Sequence, residues 1–362
     1  MEGHTDDVRK QALSSGEVVV AIATPLEAEL VETIRAVDGR ITVLYEPDLL
    51  PPIRYVCDHR GLESFRRTPE QEERWRSLLS RAEVLFGLPE DSGEGLARAV
   101  RVAPRLRYVQ GTAAGTGQQV RTAGLTAEEL GRVAITSASG VHAGPLAEFA
   151  ILGLLAFTKG LPRILADQAE RRWEHYPMPE LRGQTILIVG FGSIGEEVGR
   201  LARAFGMHVI GVNRSGRSAS PHADEVYDSG RLRDLLPAAD ALVLALPATD
   251  ETRMMIDSDA FGRMRPGTVL VNVGRGGVVD EGALVSALRE GRLQGAVLDV
   301  FATEPLPSSS PLWNMPNVLI TPHTAALSRL ENARIVELFS ENLRRYLASE
   351  ELINRLHPEL LY

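Results

Sequence analysis

The stretch that decides the fold runs from 185 to 213 and reads TILIVGFGSIGEEVGRLARAFGMHVIGVN. It opens with a continuous apolar run, TILIVG (185–190), of the kind expected of a strand covered on both faces. Gly190-Phe191-Gly192-Ser193-Ile194-Gly195 follows at once. Val198, Leu201, Ala202 and Phe205 then recur at helical spacing, which predicts a helix with one buried face. Gly206 supplies a residue able to close the last turn, and HVIGV (208–212) begins a second apolar run. A strand, a glycine turn, a helix and a strand within about 30 residues form a βαβ crossover with a phosphate-binding turn. The first glycine permits the tight turn, the second lets a pyrophosphate approach the backbone, and the third allows close helix packing. The helix N-terminus then points at the anion, so Gly190, Gly192, Ser193, Ile194 and Gly195 are candidate contacts to a dinucleotide.

Working outward, the pattern repeats. ALVLAL (241–246), TVLVNV (268–273), AVLDV (296–300) and NVLIT (317–321) continue the series, predicting six strands with crossover helices, a doubly wound dinucleotide-binding domain. Upstream, VVVAIAT (18–24), ITVLYE (41–46), EVLFGL (83–88), RYVQG (107–111) and VAITS (133–137) predict a smaller open α/β sheet. Between the two series lies a long helical pattern from Pro145 to about Arg172, interrupted near Gly160 and Pro162. Arg329 to Leu347 places Ile335, Leu338, Phe339, Leu343 and Leu347 on one stripe, a helix expected to pack back on the first domain. The expected divisions are 1–141, a substrate-binding domain of flavodoxin-like type, 142–327, the nucleotide-binding domain, and 328–362, the returning helix and tail.

Composition agrees with this architecture. The chain has 362 residues, enough for two domains, with 44% hydrophobic and 24% charged residues, the profile of an ordinary globular protein. Lys and Arg total 39 against 48 Asp and Glu, and the net charge of −9 disfavours nucleic acid or an anionic membrane surface as partner. A single cysteine, Cys57, allows no internal disulfide. The longest apolar run, Phe149 to Phe157, is bounded by Glu148 and Lys159, too short to span a bilayer. The opening residues 1–17 are polar with no apolar signal core, and a cytoplasmic protein is expected. No metal site is expected.

At the end of the second strand of the crossover, where Asp or Glu ordinarily meets the ribose of NAD, stands Asn213, followed by Arg214, Ser215 and Arg217. These read either as a polar loop with solvated arginines or as a site for a 2′-phosphate. A charge-assisted hydrogen bond is worth roughly 1.5–3 kcal/mol, and no carboxylate repels the phosphate, so NADP(H) is expected over NAD(H). Three further residues stand just past strand ends: Arg275 in VNVGRGGVVD, Glu304 in LDVFATEP and His323 in TPHTAA. Each alone has an ordinary reading, as a turn arginine, a surface charge or a loop histidine. Together, downstream of a dinucleotide turn, they suit hydride transfer coupled to a proton. Imidazole donates or accepts near neutral pH, a carboxylate orients its ring, and a guanidinium binds a substrate carboxylate bidentately. A 2-oxo acid or its 2-hydroxy acid is the implied substrate.

The ordered motifs GFGSIG, VNVGRGGVVDEGAL, LDVFATEP and NVLITPHTAA resemble the D-isomer specific 2-hydroxyacid dehydrogenases, and RLRYVQGTAAG (105–115) and ASGVHAGPLAEF (138–149) extend the likeness. The resemblance implies two doubly wound α/β domains, the second a Rossmann domain, with the active site in the cleft between them. It implies Arg275 as carboxylate anchor, His323 as acid/base and Glu304 as its partner. Asp299 would lie near the nicotinamide carboxamide, with Leu246, Pro247, Val273 and Gly274 also on the cofactor side. The backbone of Thr112, Ala113, Ala114 and Gly115 would face the substrate. A homodimer joined through the nucleotide-binding domain, with the 145–172 helix as candidate interface, is also implied. Asn213-Arg214 resembles the NADPH-using glyoxylate/hydroxypyruvate reductases, and the short C-terminal end weakens a phosphoglycerate dehydrogenase reading. His142 suits helix entry or interdomain packing, and Trp313 packing more than the substrate pocket. Rival readings are a formate or phosphite dehydrogenase and a dinucleotide-sensing protein similar to the transcriptional co-repressors of this fold.

Overall fold

The computed structural model describes residues 16–359, so the opening stretch up to residue 15 lies outside the described residues. The chain divides into two compact units. One takes the described residues through Val141 and resumes at Leu327; the other is His142–Ala326.

The first unit is a sheet of β1 (Val18–Ile22), β2 (Ile41–Leu44), β3 (Val84–Phe86), β4 (Tyr108–Gln110) and β5 (Ala134–Thr136), in the order β2-β1-β3-β4-β5. Every pairing is parallel. β1 reads VVVAI and is buried throughout, because its two faces meet different apolar layers. Trp75, Leu78, Leu96 and Val100 cover one face, while Val31 and Ile34 cover the other. The second layer is completed by the last helix, Glu331–Leu347, through Ile335, Val336, Phe339 and Leu343, so the chain's end returns to its beginning. The Phe339 ring packs edge-on against Phe86 with centroids 5.1 Å apart.

The second unit carries β6 (Thr185–Val189), β7 (His208–Asn213), β8 (Glu225–Asp228), β9 (Ala241–Leu244), β10 (Thr268–Asn272), β11 (Leu293–Leu298) and β12 (Val318–Ile320). Their order is β12-β11-β10-β9-β6-β7-β8, again parallel throughout. The sheet therefore has seven strands, not the six expected. β8 reads EVYD, pairs only with β7 and is half-buried or exposed, so it carries no continuous apolar run to announce it. β11 also begins earlier than expected, at Leu293, because Gln294 and Gly295 interrupt its apolar pattern. The long helical pattern resolves into Ala143–Thr158 and Leu161–Ala169, broken at Gly160 with φ +68° and Pro162 in the next turn. His142 stands at the N-cap of the first of these helices. Among the described residues no single helix is long and apolar enough to cross a membrane.

One buried polar network fastens the returning helix to the first sheet. Gln110 Oε1 accepts from Tyr108 Oη (2.8 Å), Thr136 Oγ1 (2.9 Å) and Asn342 Nδ2 (3.3 Å). Asn342 also donates to the Ile353 carbonyl (3.1 Å) and accepts from the Ile353 N–H (2.8 Å). Burial pushes the Tyr108 phenol up, keeping it a neutral donor. Because each orphaned buried partner costs about 1–3 kcal/mol, Asn342→Ala should destabilise the protein by roughly 2–4 kcal/mol. Urea unfolding followed by tryptophan fluorescence would register this as a lower midpoint.

Candidate active site

In the seven-stranded sheet the order reverses between β6 and β9. Crossovers leave on opposite faces there, opening a crevice at the strands' carboxyl ends. Just past β6 stands Gly190 with φ +96°, a conformation L side chains avoid. A Cβ at Gly190 would stand 2.6 Å from the Ala245 carbonyl carbon just past β9. At Gly195 a Cβ would stand 2.5 Å from the Gly190 carbonyl oxygen, so only glycine lets the Ser193–Ala204 helix pack this close to the turn. Gly192, by contrast, is exposed and faces open space. No side chain caps the N-terminus of that helix. An open glycine beside uncapped first-turn N–H groups fits the pyrophosphate of a dinucleotide.

β7 ends at Asn213, whose amide shapes the loop that follows. Its Oδ1 accepts from the N–H groups of Ser215 (3.1 Å) and Gly216 (2.8 Å), and its Nδ2 donates to the Arg217 carbonyl (2.8 Å). The Ser215 hydroxyl donates within the same loop, to Asn213 Oδ1 (3.2 Å) and the Arg217 carbonyl (3.1 Å). Arg214 and Arg217 are exposed on this turn, and no carboxylate belongs to it.

The ends of β10, β11 and β12 are tied by two buried polar side chains that sequence reasoning did not place in this role. Asn272 closes β10: its Oδ1 accepts from the Gly274 N–H (3.1 Å) and its Nδ2 donates to the Arg275 carbonyl (3.2 Å). Asp299, only 1% exposed, directs Oδ1 to the Thr321 hydroxyl (2.7 Å) and the N–H groups of Thr324 (2.9 Å) and Ala325 (3.0 Å). The Asp299 carbonyl accepts the His323 N–H at 2.9 Å. His323 is thereby held at φ +51°, an unusual conformation for a residue with a side chain. A polar residue interrupting an apolar strand end, as in VLVNVG and VLDVF, was the available signal for both.

His323 Nδ1 lies 2.8 Å from Glu304 Oε2, while Glu304 Oε1 accepts the Phe301 N–H at 3.0 Å. The carboxylate thus fixes the ring and is itself fixed. The turn bearing Arg275 approaches the same segment, since a Cβ at the adjacent Gly276 would fall 1.9 Å from the Phe301 carbonyl carbon. Arg275 is exposed; its Nη1 donates to the Gly274 carbonyl (2.7 Å). Glu304 and His323 are directly joined, while the turn carrying Arg275 meets the Phe301–Ala302 backbone. With a pair of 36% and 47% exposed side chains, this dyad is open to a small ligand.

Other expected residues fall as follows. Leu246 and Val273 are buried at the ends of β9 and β10, and Pro247 accepts the Thr252 hydroxyl at 2.7 Å. Thr112, Ala113, Ala114 and Gly115 follow β4 in the first unit, with the Ala113 carbonyl accepting from the Ala138 N–H (3.1 Å). Trp313 departs from the packing role expected of it: it is 50% exposed, because its indole N–H is satisfied locally by the Pro307 carbonyl at 3.0 Å.

Comparison with known proteins agrees with this geometry. Residues 151–325 match the family model described as D-isomer specific 2-hydroxyacid dehydrogenase, NAD binding domain. The chain is 37% identical over 270 residues to a glyoxylate reductase of Aeropyrum pernix, covering 70% of this chain and 78% of that one. It is 35% identical over 221 residues to an (S)-sulfolactate dehydrogenase of Chromohalobacter salexigens, covering 59% and 70%. An NADPH-dependent glyoxylate/hydroxypyruvate reductase of Sinorhizobium meliloti, solved with NADP and sulfate, superimposes with a TM-score of 0.73 at 25% identity, covering 96% of this chain and 100% of that one. The glycine turn generates one expectation: Gly195→Val should force helix and turn apart. Calorimetric titration with NADPH should show affinity at least tenfold weaker in a variant that retains its circular dichroism.

Proposed function

From its membership of the D-isomer specific 2-hydroxyacid dehydrogenase family, to which this chain belongs, we propose that the protein is a 2-oxo acid reductase of the glyoxylate/hydroxypyruvate type, using NADPH in preference to NADH. The observation that carries the reading is the 2.8 Å contact between Glu304 Oε2 and His323 Nδ1. It assigns the ring proton at Nδ1 to the carboxylate and leaves Nε2 to serve the substrate.

With its pyrophosphate held at the glycine turn, a bound NADPH would supply the hydride that reduces the substrate's carbonyl carbon. His323, entering protonated, donates from Nε2 to the carbonyl oxygen, so the C=O becomes CH–OH while the ring is left neutral. Glu304 stabilises the imidazolium before the transfer and holds its plane through it. Arg275 binds the substrate carboxylate through the guanidinium edge not engaged by Gly274, orienting the carbonyl and drawing electron density from it. Gly190, Gly192, Ser193, Ile194 and Gly195 hold the pyrophosphate. Arg214 and Arg217, on the turn that Asn213 and Ser215 build, meet the 2′-phosphate. A second copy of the chain is the proposed partner, meeting the nucleotide-binding unit where Leu152, Leu165 and the 91% exposed Trp173 present apolar surface.

His323→Gln should lower kcat by about 10²–10⁴, the usual contribution of general acid–base catalysis. Arg275→Ala should raise KM for the 2-oxo acid at least tenfold with NADPH affinity intact. Wild-type kcat/KM should favour NADPH over NADH at least tenfold. Consumption of neither cofactor across a panel of 2-oxo acids would reject the assignment. Separately, light scattering should report a dimer that Trp173→Glu shifts toward monomer; a monomeric wild-type chain would remove the self-association reading.

A further inference from the structure

Glu304 meets His323 only while the segment after β11 holds it there. One end of that segment is fixed by burial, with Asp299 1% and Phe301 7% exposed. From Ala302 to Glu304 the chain is exposed, and backbone with few buried contacts shifts most readily. Glu304 restrains itself in part, since its Oε1 accepts the Phe301 N–H at 3.0 Å. That bond closes the loop on itself; it does not fix the loop against its surroundings.

The outside grip comes from Glu281. Its Oε1 accepts the Ala302 N–H at 2.6 Å, a short charge-assisted bond between residues 21 apart in the chain. The same peptide is backed by the turn after β10. A Cβ at Gly276 would stand 2.1 Å from the Phe301 carbonyl oxygen and 2.5 Å from the Ala302 nitrogen. Gly276 and Glu281 therefore meet one peptide, and both belong to the segment that follows Arg275.

Glu281 reaches from a firm base. Val278 and Val279 just before it are buried. The Met254 N–H donates to the Gly277 carbonyl (2.9 Å), the Ile256 N–H to the Val278 carbonyl (3.1 Å) and the Asp280 N–H to the Ile256 carbonyl (3.0 Å). Asp280 caps the Glu281–Arg289 helix by accepting the Ala283 N–H at 3.0 Å, so the cap makes no demand on Glu281. An ordinary role stands beside the one its contact suggests, because a carboxylate in the first turn of a helix complements the macrodipole. The two roles need different things. The dipole needs negative charge at the helix start, whereas the Ala302 N–H needs an acceptor oxygen at the right reach.

We infer that, on the acid/base reading proposed above, Glu281 is a positioning residue for the Glu304–His323 pair. It fixes the Ala302 peptide and, through it, the carboxylate that holds the imidazole. A misplacement of about 1 Å by a change away from the chemistry can cost about 10²-fold in rate. An exposed contact adds little to overall stability, so its loss leaves the fold intact and falls on turnover.

Steady-state kinetics of the full chain, with NADPH and the most active 2-oxo acid of the panel, test this. Glu281→Ala should lower kcat about tenfold, with KM for the 2-oxo acid and NADPH affinity close to wild type. Glu281→Gln keeps an acceptor at the same reach without the charge and should recover most of the loss. Glu281→Asp keeps the charge at the helix start but is too short, and should be as slow as Glu281→Ala. NADPH affinity checks that each variant is folded, and Glu281→Asp carries the prediction if Glu281→Ala is not. In a Glu304→Ala background, adding Glu281→Ala should lower kcat no further. Normal turnover in Glu281→Ala, a slow Glu281→Gln, or losses that multiply in the double variant overturn the inference; an active Glu281→Asp beside a slow Glu281→Gln identifies the helix dipole instead. His323→Gln separates the two failures. Slow His323→Gln beside normal Glu281→Ala removes the positioning role alone, and normal His323→Gln removes the acid/base reading and the positioning role with it.

Discussion

Much of the nucleotide-binding unit's candidate chemistry depends on one buried carboxylate. Asp299 sits at the end of β11 almost without exposure, and a single oxygen of it receives three donors from the segment after β12. Burying a charge is costly unless its hydrogen bonds are supplied, and hydrogen bonds to a charged group are worth about 1.5–3 kcal/mol each. Supplying them here forces the Thr321–Ala325 backbone to fold over the strand end, and the same residue's carbonyl takes the His323 N–H. The left-handed conformation of His323 follows from being held at both sides. Its imidazole then stands against Glu304, with Nδ1 2.8 Å from Oε2. A folding constraint and a functional geometry are the same set of bonds.

Both units obey one geometric rule with different materials. Parallel strands buried on both faces leave their polar backbone ends at one edge, and the reversal of strand order opens that edge to a ligand. In the seven-stranded sheet the reversal is filled by a glycine turn and an uncapped helix, which suits an anion. In the five-stranded sheet the strand end carries Thr24 and His59, with Glu331 and Asn332 of the last helix beside them. The fold fixes where a site falls, while the residues at the strand ends decide which sign of charge it welcomes.

Legibility in the sequence followed the same physics. β6, β9 and β10 announce themselves because burial on both faces demands unbroken apolar runs, and the first and third glycines of GFGSIG, Gly190 and Gly195, are required by contacts a side chain would violate. Glu304 and His323 could be singled out because each lies in the segment that follows a strand end, and the structure brings their side chains together. β8 was not, since an edge strand paired on one side has no need of two apolar faces. The cluster at His59 was equally silent: its partners come from the β1 exit and the final helix, and nothing in DHRG (58–61) points to a glutamate and an asparagine so far along the chain.

The turn after β7 shows how little energy separates two cofactors. With Asn213 where a carboxylate would stand, its amide is consumed in building the 213–217 turn and offers the ribose diol no ionised acceptor. That lowers the claim of NADH without creating one for NADPH; the latter must come from arginines on an exposed turn. Exposed ion pairs contribute about 0.2–1 kcal/mol, whereas a well-formed charge-assisted hydrogen bond reaches roughly 1.5–3 kcal/mol. On the NADPH reading proposed above, one of the latter with one of the former would amount to a preference of tens to several hundredfold, and salt screening would trim the exposed share first. A carboxylate returned to position 213 would act on both terms at once, repelling the phosphate and binding the diol. On the proposed reading, selectivity at this turn rests on the missing carboxylate as well as on the arginines present.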